Sequence, residues 1–497
     1  MSPKAPTKRV PPIRVTPSND AAVNPQADYV LYWMTASRRT TWNFALERAV
    51  EWAGELGRPL VIAETLASGC RWASDRHHAM VLEGMAENAA VCARHGVRYY
   101  PYAEAKRGEG IDLVVALAAR ACIVVTDDFP ISSVVVDAEQ VARRVKVAVE
   151  RVDSNGLLPL RAADRVFPTA YAFRRFLHRT LPDHLPEVPE PNALARLELP
   201  RLRSLPGEIT SRWPPASTRL LAAEPAALAS LPIDHEVAPA RLSGGPTAAR
   251  KMLKRFLQSK LPSYAEDRNH PGVDGTSGLS PYLHFGHVSV HEVFHELAQA
   301  EGWSPTRLAE KATGKREGWW GTSEPAEAFL DELITWREVG FNMCARRSDY
   351  DQYDSLPDWA QKTLDDHAGD DRPYVYWLEE FEAGRTHDPL WNAAQTEIVR
   401  TGRMHNYVRM LWGKKILEWS AGPREALDVM IELNNKYGLD GQDPNSYSGI
   451  FWVLGRYDRP WGPERPIFGK IRYMSSDNTA RKLRLGDYLK KHAPDDE

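Results

Sequence analysis

Gly275-Thr-Ser-Gly-Leu-Ser-Pro-Tyr-Leu-His-Phe-Gly286 decides how the second half of the chain is read. Thr276, Ser277, Gly278 and Ser280 crowd the start of an apolar helical run. A helix start leaves backbone amides without intrahelical partners, and one side-chain oxygen is enough to cap it. Three hydroxyls and a glycine exceed that need. Ser263-Tyr264-Ala-Glu-Asp-Arg-Asn269 precedes the cluster.

Working outward, residues after Pro246 keep helical periodicity almost to the end of the chain. Met404, Tyr407, Val408, Leu411, Trp412, Ile416 and Trp419 fall on one apolar stripe of a helix that starts after Gly402. Asn406, Arg409, Met410 and Gly413 make a second face, small and polar enough to line a cavity. Glu332 and Trp336, four residues apart, are expected to project together from another helix. Upstream, prolines recur from about Leu181 to Pro246 and point to a long connector. Before it, Tyr29–Met34, Leu60–Leu66, Val97–Tyr102 and Cys122–Thr126 read as buried strands, with helical periodicity over Trp42–Leu56, Arg76–His95 and Gly110–Arg120. That alternation implies an α/β, Rossmann-like parallel sheet flanked by helices. It lacks the glycine turn of a conventional dinucleotide site and has no Walker loop. The expected layout is a disordered N-terminal arm over 1–27, an α/β domain over 28–165, a connector over 166–246 and an all-α domain over 247–497.

At 497 residues the chain is long enough for two cores. Cys70, Cys92, Cys122 and Cys344 form no C-x-x-C pair, so they suggest neither a disulfide framework nor a zinc ribbon and fit a reducing compartment. No apolar run reaches the roughly 20 residues of a membrane helix. A cytoplasmic monomer with no membrane partner is expected. The proline-rich start, with Lys4, Lys8, Arg9 and Arg14 and no acid before Asp20, leaves an organellar or nuclear address open.

The net charge of −3 does not announce a nucleic-acid partner, but the cations cluster. Arg250 to Lys260 holds five basic residues and no acid. Arg400, Arg403, Arg409, Lys414 and Lys415 form a second group, and Lys470, Arg472, Arg481, Lys482, Arg484, Lys490 and Lys491 a third. Interleaved with tryptophans, these are the expected phosphate contacts. Lys414 and Lys415 follow the turn bearing Met410 most closely.

His291-Glu-Val-Phe-His295 matches the H-E-x-x-H pattern of zinc metalloproteases, with Glu292 placed as base. Glu296 to Gly302 supplies no further histidine, so a structural helix is the better account and no metal site is expected. Zinc hydrolysis is the remote alternative.

Several further segments share a pattern with the opening stretch. They are Asp331-Glu-Leu-Ile-Thr-Trp-Arg-Glu338, Leu390-Trp-Asn-Ala-Ala-Gln395 and Gly402-Arg-Met-His-Asn-Tyr-Val-Arg-Met-Leu-Trp412. Lys414-Lys-Ile-Leu-Glu-Trp419, Leu439-Asp-Gly-Gln-Asp-Pro-Asn445 and Ile467-Phe-Gly-Lys-Ile-Arg-Tyr-Met474 follow. Together they resemble the photolyase and cryptochrome superfamily, and the last three resemble its class II cyclobutane pyrimidine dimer photolyases. The resemblance covers about residues 250–475 and is weaker over 28–165.

The resemblance implies the photolyase fold and an enzyme that binds FAD and UV-damaged DNA. It would split cyclobutane pyrimidine dimers by electron transfer from photoexcited reduced FAD. An antenna chromophore is compatible with it and is not identified by it. FAD would be held by Tyr264, Thr276, Ser277, Gly278, Leu279, Ser280, Arg337, Arg409, Asn434, Asp440, Asp443 and Asn445. The 276–280 hydroxyls and amides suit its pyrophosphate, Arg409 and Asp440 would pair beside the ring, and either Asn434 or Asn445 would face N5. Glu332 would hydrogen-bond the dimer's carbonyl. Trp336, Asn406, Met410 and Trp452 would pack against the flipped-out lesion. Trp391, Trp412 and Trp419 would relay electrons from the surface. Asn406 stands where class II members usually carry glycine, and Leu411 where they carry tyrosine. A cryptochrome-like flavin photoreceptor and a (6-4) photolyase are the alternatives; the latter calls for a histidine pair, of which His405 is one candidate.

Overall fold

The computed structural model describes residues 9–196, 198–483 and 485–494. They divide into two compact units: residues up to Ala163 with Leu181–Lys251 and Tyr282–Glu296, and Asp164–Thr180 with Met252–Pro281 and Leu297 onward. In the first unit the apolar runs become strands. Val15–Pro17 (β1), Tyr29–Met34 (β2), Leu60–Leu66 (β3), Arg98–Ala103 (β4), Ala121–Asp127 (β5) and Val149–Val152 (β6) lie in the order β1-β6-β5-β2-β3-β4. Only β1 is antiparallel, against β6. Helices Phe44–Leu56 (α1), Asp75–His95 (α2), Glu109–Ala118 (α3) and Ser132–Arg144 (α4) connect the parallel strands. Asn43 caps α1 by accepting from the Leu46 amide at 3.1 Å. Tyr29, Leu31 and Trp33 of β2 enter one apolar cluster, and Val30, Tyr32 and Met34 another. A sheet covered on both faces has no polar side, which is why its strands read as unbroken apolar runs.

Three features depart from the expected layout. Residues 9–27 are not a free arm: Arg14 is fully buried, donates to the carbonyls of Gly156 at 3.2 Å and Leu157 at 2.8 Å, and lies 4.6 Å over the Phe44 ring. Lys4 and Lys8 lie outside the described residues, as does Arg484. The segment expected as a connector carries the 15-residue helix Ala170–His184 (α5), with Pro182 in its last turn. Further along, Leu205, Ile209 and Trp213 are buried in the sheet's own apolar cluster, so this proline-rich stretch covers core instead of hanging free.

The second unit is helical. Glu324–Leu330 (α6) and Arg337–Arg346 (α7) are joined without a break by a π-helical turn, Asp331–Trp336. Such turns are rare and are found frequently at functional sites. Here Asp331 takes two hydrogen bonds from Arg174, at 2.7 and 3.1 Å, with both side chains buried. Pro389–Thr401 (α8), Asn406–Trp419 (α9), Pro423–Tyr437 (α10) and Pro444–Val453 (α11) complete the frame. Gly340 lets α7 press onto α11, since a Cβ there would lie 2.7 Å from the Pro444 carbonyl oxygen. Gly413 does the same for α9, 2.7 Å from a Val453 methyl. Among the described residues no helix is long and apolar enough to cross a membrane.

Replacing Asp331 by Ala strands the Arg174 guanidinium in a buried setting. We expect a loss of about 3–5 kcal/mol in denaturant unfolding; a loss under about 1 kcal/mol would place the pair among ordinary surface bridges.

Candidate active site

All the site residues expected from the sequence lie in the second unit. Gly278 adopts φ +71°, turning the loop so that Ser277 Oγ accepts from the Leu279 amide at 3.3 Å. Lys260 Nζ donates to the Thr276 carbonyl at 3.1 Å and pairs with Asp274 at 2.7 Å. A Cβ on Gly278 would stand 3.4 Å from an Arg403 guanidinium nitrogen, so the bare glycine brings that cation to the loop backbone. Loop amides, the hydroxyls of Thr276 and Ser280, and Arg403 make a donor-rich rim suited to a pyrophosphate. No sequence motif marks Lys260 or Arg403 for this rim. Each sits in a basic run, and spacing alone does not tell which cation of a run turns inward.

Arg409 pairs with Asp440 at 3.0 Å, each side chain about one-fifth exposed. Arg409 Nε is buried and has no hydrogen-bond partner among the described residues, a donor that a ring acceptor would satisfy. Asn434 is buried, and its amide donates to Ser446 Oγ at 2.7 Å and Asn435 Oδ1 at 3.1 Å. Asn445 is exposed in the first turn of α11, which Asp443 caps by accepting the Asn445 amide at 2.9 Å. Asn434 therefore has the fixed side-chain orientation of the two. Tyr264 is buried edge-on against Phe256 and Phe329, and Arg337 lies 4.1 Å over the Phe341 ring.

Glu332 sits in the π turn and accepts from Arg268 at 2.6 Å. Burial raises its carboxyl above the usual range, Arg268 beside it pulls the other way, and neighbouring Asp331 adds to the rise. Arg268 belongs to the quoted 263–269 stretch, yet only the fold shows it reaching a partner 64 residues on. Trp336, Met410 and Trp452 are half-buried and Asn406 is exposed. They come from the π turn, α9 and α11, the elements that Gly340 and Gly413 hold together.

The three tryptophans expected to form a relay meet in series. Trp391 is fully buried, stacked at 5° and 6.4 Å on Trp412, and edge-on to Trp419 at 6.2 Å. Its indole N–H donates to the Trp412 carbonyl at 3.0 Å. Beyond Trp419 lie His387 at 4.7 Å and Tyr376 at 5.9 Å, and Tyr374, stacked on His387 at 3.7 Å, is exposed. Chain order would have put Trp391 at one end; contact order puts it in the middle.

Two sequence expectations are overturned by burial. Lys414 has no exposed surface: its ammonium donates to the Val453 carbonyl and lies 5.1 Å from the Trp452 ring. Lys415 is also buried and pairs with Glu418 at 2.6 Å. Neither can reach a phosphate, because a helix face read as basic in sequence is packed against the 452–473 segment. The H-E-x-x-H stretch is committed elsewhere. Glu292 is paired with Arg250 at 2.6 Å, His295 packs 4.9 Å from Trp42, and His291 lies edge-on to Phe44 at 5.3 Å. Among the described residues no group of three or more potential ligands could hold a metal ion.

No family model matches the chain. It is 34% identical over 465 residues to a deoxyribodipyrimidine photo-lyase of Methanothermobacter thermautotrophicus, covering 93% of this chain and 94% of that one. It is 33% identical over 487 residues to the deoxyribodipyrimidine photo-lyase of Potorous tridactylus, covering 96% and 84%. The crystal structure of a bacterial class III photolyase from Agrobacterium tumefaciens matches with a TM-score of 0.64 at 16% identity, over 94% of this chain and 86% of that one, a likeness of fold.

Burial pushes the Lys414 amine down from 10.5 to about 7, with Arg472 adding to the fall and Asp458 opposing it. Between those values the unfolded chain binds the proton and the folded one does not, so stability rises with pH across the window. The native protein should therefore resist denaturant better near pH ~9.5 than near pH ~7, and Lys414→Met should lose that gain. An identical pH dependence in the variant would show that the amine is solvated.

Proposed function

The chain belongs to the photolyase/cryptochrome family and catalyses light-driven repair of DNA photodamage, and on that premise we propose that it splits cyclobutane pyrimidine dimers using FAD held in the second unit. Bound there, FAD supplies a photoexcited electron donor. The residues around it do the rest. The 276–280 loop with Arg403 holds the pyrophosphate, and Arg409, Asp440 and Asn434 face the ring. Trp336, Met410 and Trp452 receive the flipped-out lesion, which costs less to extrude than an intact pair because it is already poorly stacked. Arg268 and Glu332, whose protonated form burial favours, meet the negative charge that arrives on the dimer's carbonyl as donors already oriented. Trp419, Trp391 and Trp412 return electrons from the surface to the cofactor.

One observation carries this account: three buried tryptophans in unbroken contact lead from an exposed aromatic edge to the helix that bears Arg409 and Met410. Three core residues need no such order. Against the (6-4) alternative, His405 is occupied as the cap of α9, accepting from the Tyr407 amide at 3.3 Å, and burial pushes its pKa down to about 4. Four free cysteines fit action in a reducing compartment such as the cytoplasm.

Denaturing the purified protein should release one FAD per chain; a folded protein that cannot be loaded with FAD would contradict the proposal. Glu332→Ala should keep FAD and DNA binding and lower repair per absorbed photon, because a group that stabilises the arriving charge is lost. Unchanged repair would remove Glu332 from the chemistry.

A further inference from the structure

Gln395 ends the Leu390-Trp-Asn-Ala-Ala-Gln395 stretch. It is buried, one helical turn after Trp391 on α8, and its Oε1 accepts the Trp412 indole N–H at 3.0 Å. Its own Nε2 donates to the Glu382 carbonyl at 3.3 Å, which fixes the amide so that oxygen, not nitrogen, faces the indole. The Glu382 carboxylate is engaged by Lys436 at 2.7 Å and Tyr437 at 2.6 Å. The Trp391 indole N–H likewise ends on a carbonyl oxygen, that of Trp412. Both inner rings of the relay thus donate to amide oxygens, which accept hydrogen bonds well and protons very poorly.

We infer that Gln395 is a positioning residue of the electron relay, one that lets Trp412 lose an electron while keeping its proton. The inference rests on the relay assigned under the proposed function. When Trp412 gives one electron to the photoexcited cofactor, its ring becomes a radical cation and its N–H becomes strongly acidic. The Gln395 oxygen stabilises that charge by a charge-assisted hydrogen bond but offers no base. Trp391 then returns one electron to Trp412 and Trp419 one to Trp391, with no proton moving at either inner ring. Were the proton lost, the neutral radical would be a weaker oxidant, and refilling from Trp391 would fail. Proton loss is left to the outer end, where His387 and Tyr376 border Trp419.

The test uses the FAD-loaded chain with Trp391→Phe, which arrests the missing electron on Trp412, and follows the indole radical by flash absorption. Protonated and deprotonated indole radicals differ in their visible spectra. Trp391→Phe should show the protonated radical decaying by recombination, with no change of rate in deuterated water. Adding Gln395→Glu, near pH ~9 where a buried carboxyl ionises, should shift the spectrum to the deprotonated form with a solvent isotope effect. A deprotonated radical in Trp391→Phe alone, or a protonated one in the double variant, would overturn the role of Gln395. No tryptophan radical at all would overturn the relay itself, and the inference with it.

Discussion

The site exists because helices can approach α11 more closely than side chains normally permit. At Gly340 and at Gly413 any Cβ would collide, with the Pro444 carbonyl oxygen in one case and a Val453 methyl in the other. These contacts fix where the π turn with Glu332 and Trp336, the α9 face with Arg409 and Met410, and the end of α11 with Trp452 stand relative to one another. Packed interiors hold such positions to a fraction of an ångström, which is the precision that placing a donor against a developing charge requires. The π turn belongs to the same constraint. It re-aims one stretch of a continuous helix, and the buried Arg174–Asp331 pair keeps it from relaxing.

Charge inside this unit is arranged by burial more than by number. With a net charge of −3 the chain has no overall attraction for a polyanion. The cations that matter face inward: Arg403 on the 276–280 loop, Arg409 against Asp440, Arg268 against Glu332. Arg409 keeps a buried Nε without a hydrogen-bond partner among the described residues beside its bridge to Asp440, a donor left over for a ligand. Lys414 is the exception, a buried amine with a carbonyl and an indole ring for neighbours. Arg472 lies near the same Trp452 ring at 5.8 Å and stacks on Trp461 at 4.5 Å, so the cations that border this indole come from both α9 and the 470s.

How much of this was legible in sequence follows from the range of each interaction. β2 and β3 coincide with their apolar runs, because burial on both faces leaves its mark on every residue. β1, β6 and α4 carry no such mark: β1 is a three-residue edge strand, β6 has four residues of which only the end two are buried, and α4 buries only Ala138, Val141 and Ala142. Arg14 looked like part of a basic arm because nothing local predicts an arginine satisfied by carbonyls some 140 residues away. Motif resemblance brought the candidate site residues to notice. It could not tell that Lys414 and Lys415 are buried, that Arg268 is the partner of Glu332, or that Trp391 is the middle ring. Those facts depend on which helix faces cross, and periodicity records only that a face is apolar.

The claim on which the whole account depends is that light absorbed by this protein opens a pyrimidine dimer. The most direct measurement mixes the FAD-loaded chain with an oligothymidine carrying one cyclobutane dimer and follows the return of thymine absorbance, illuminated and in the dark. The account predicts recovery under near-UV or blue light, with more dimers opened than protein present, and none in darkness. Absence of recovery in the light, or equal recovery in the dark, would contradict it.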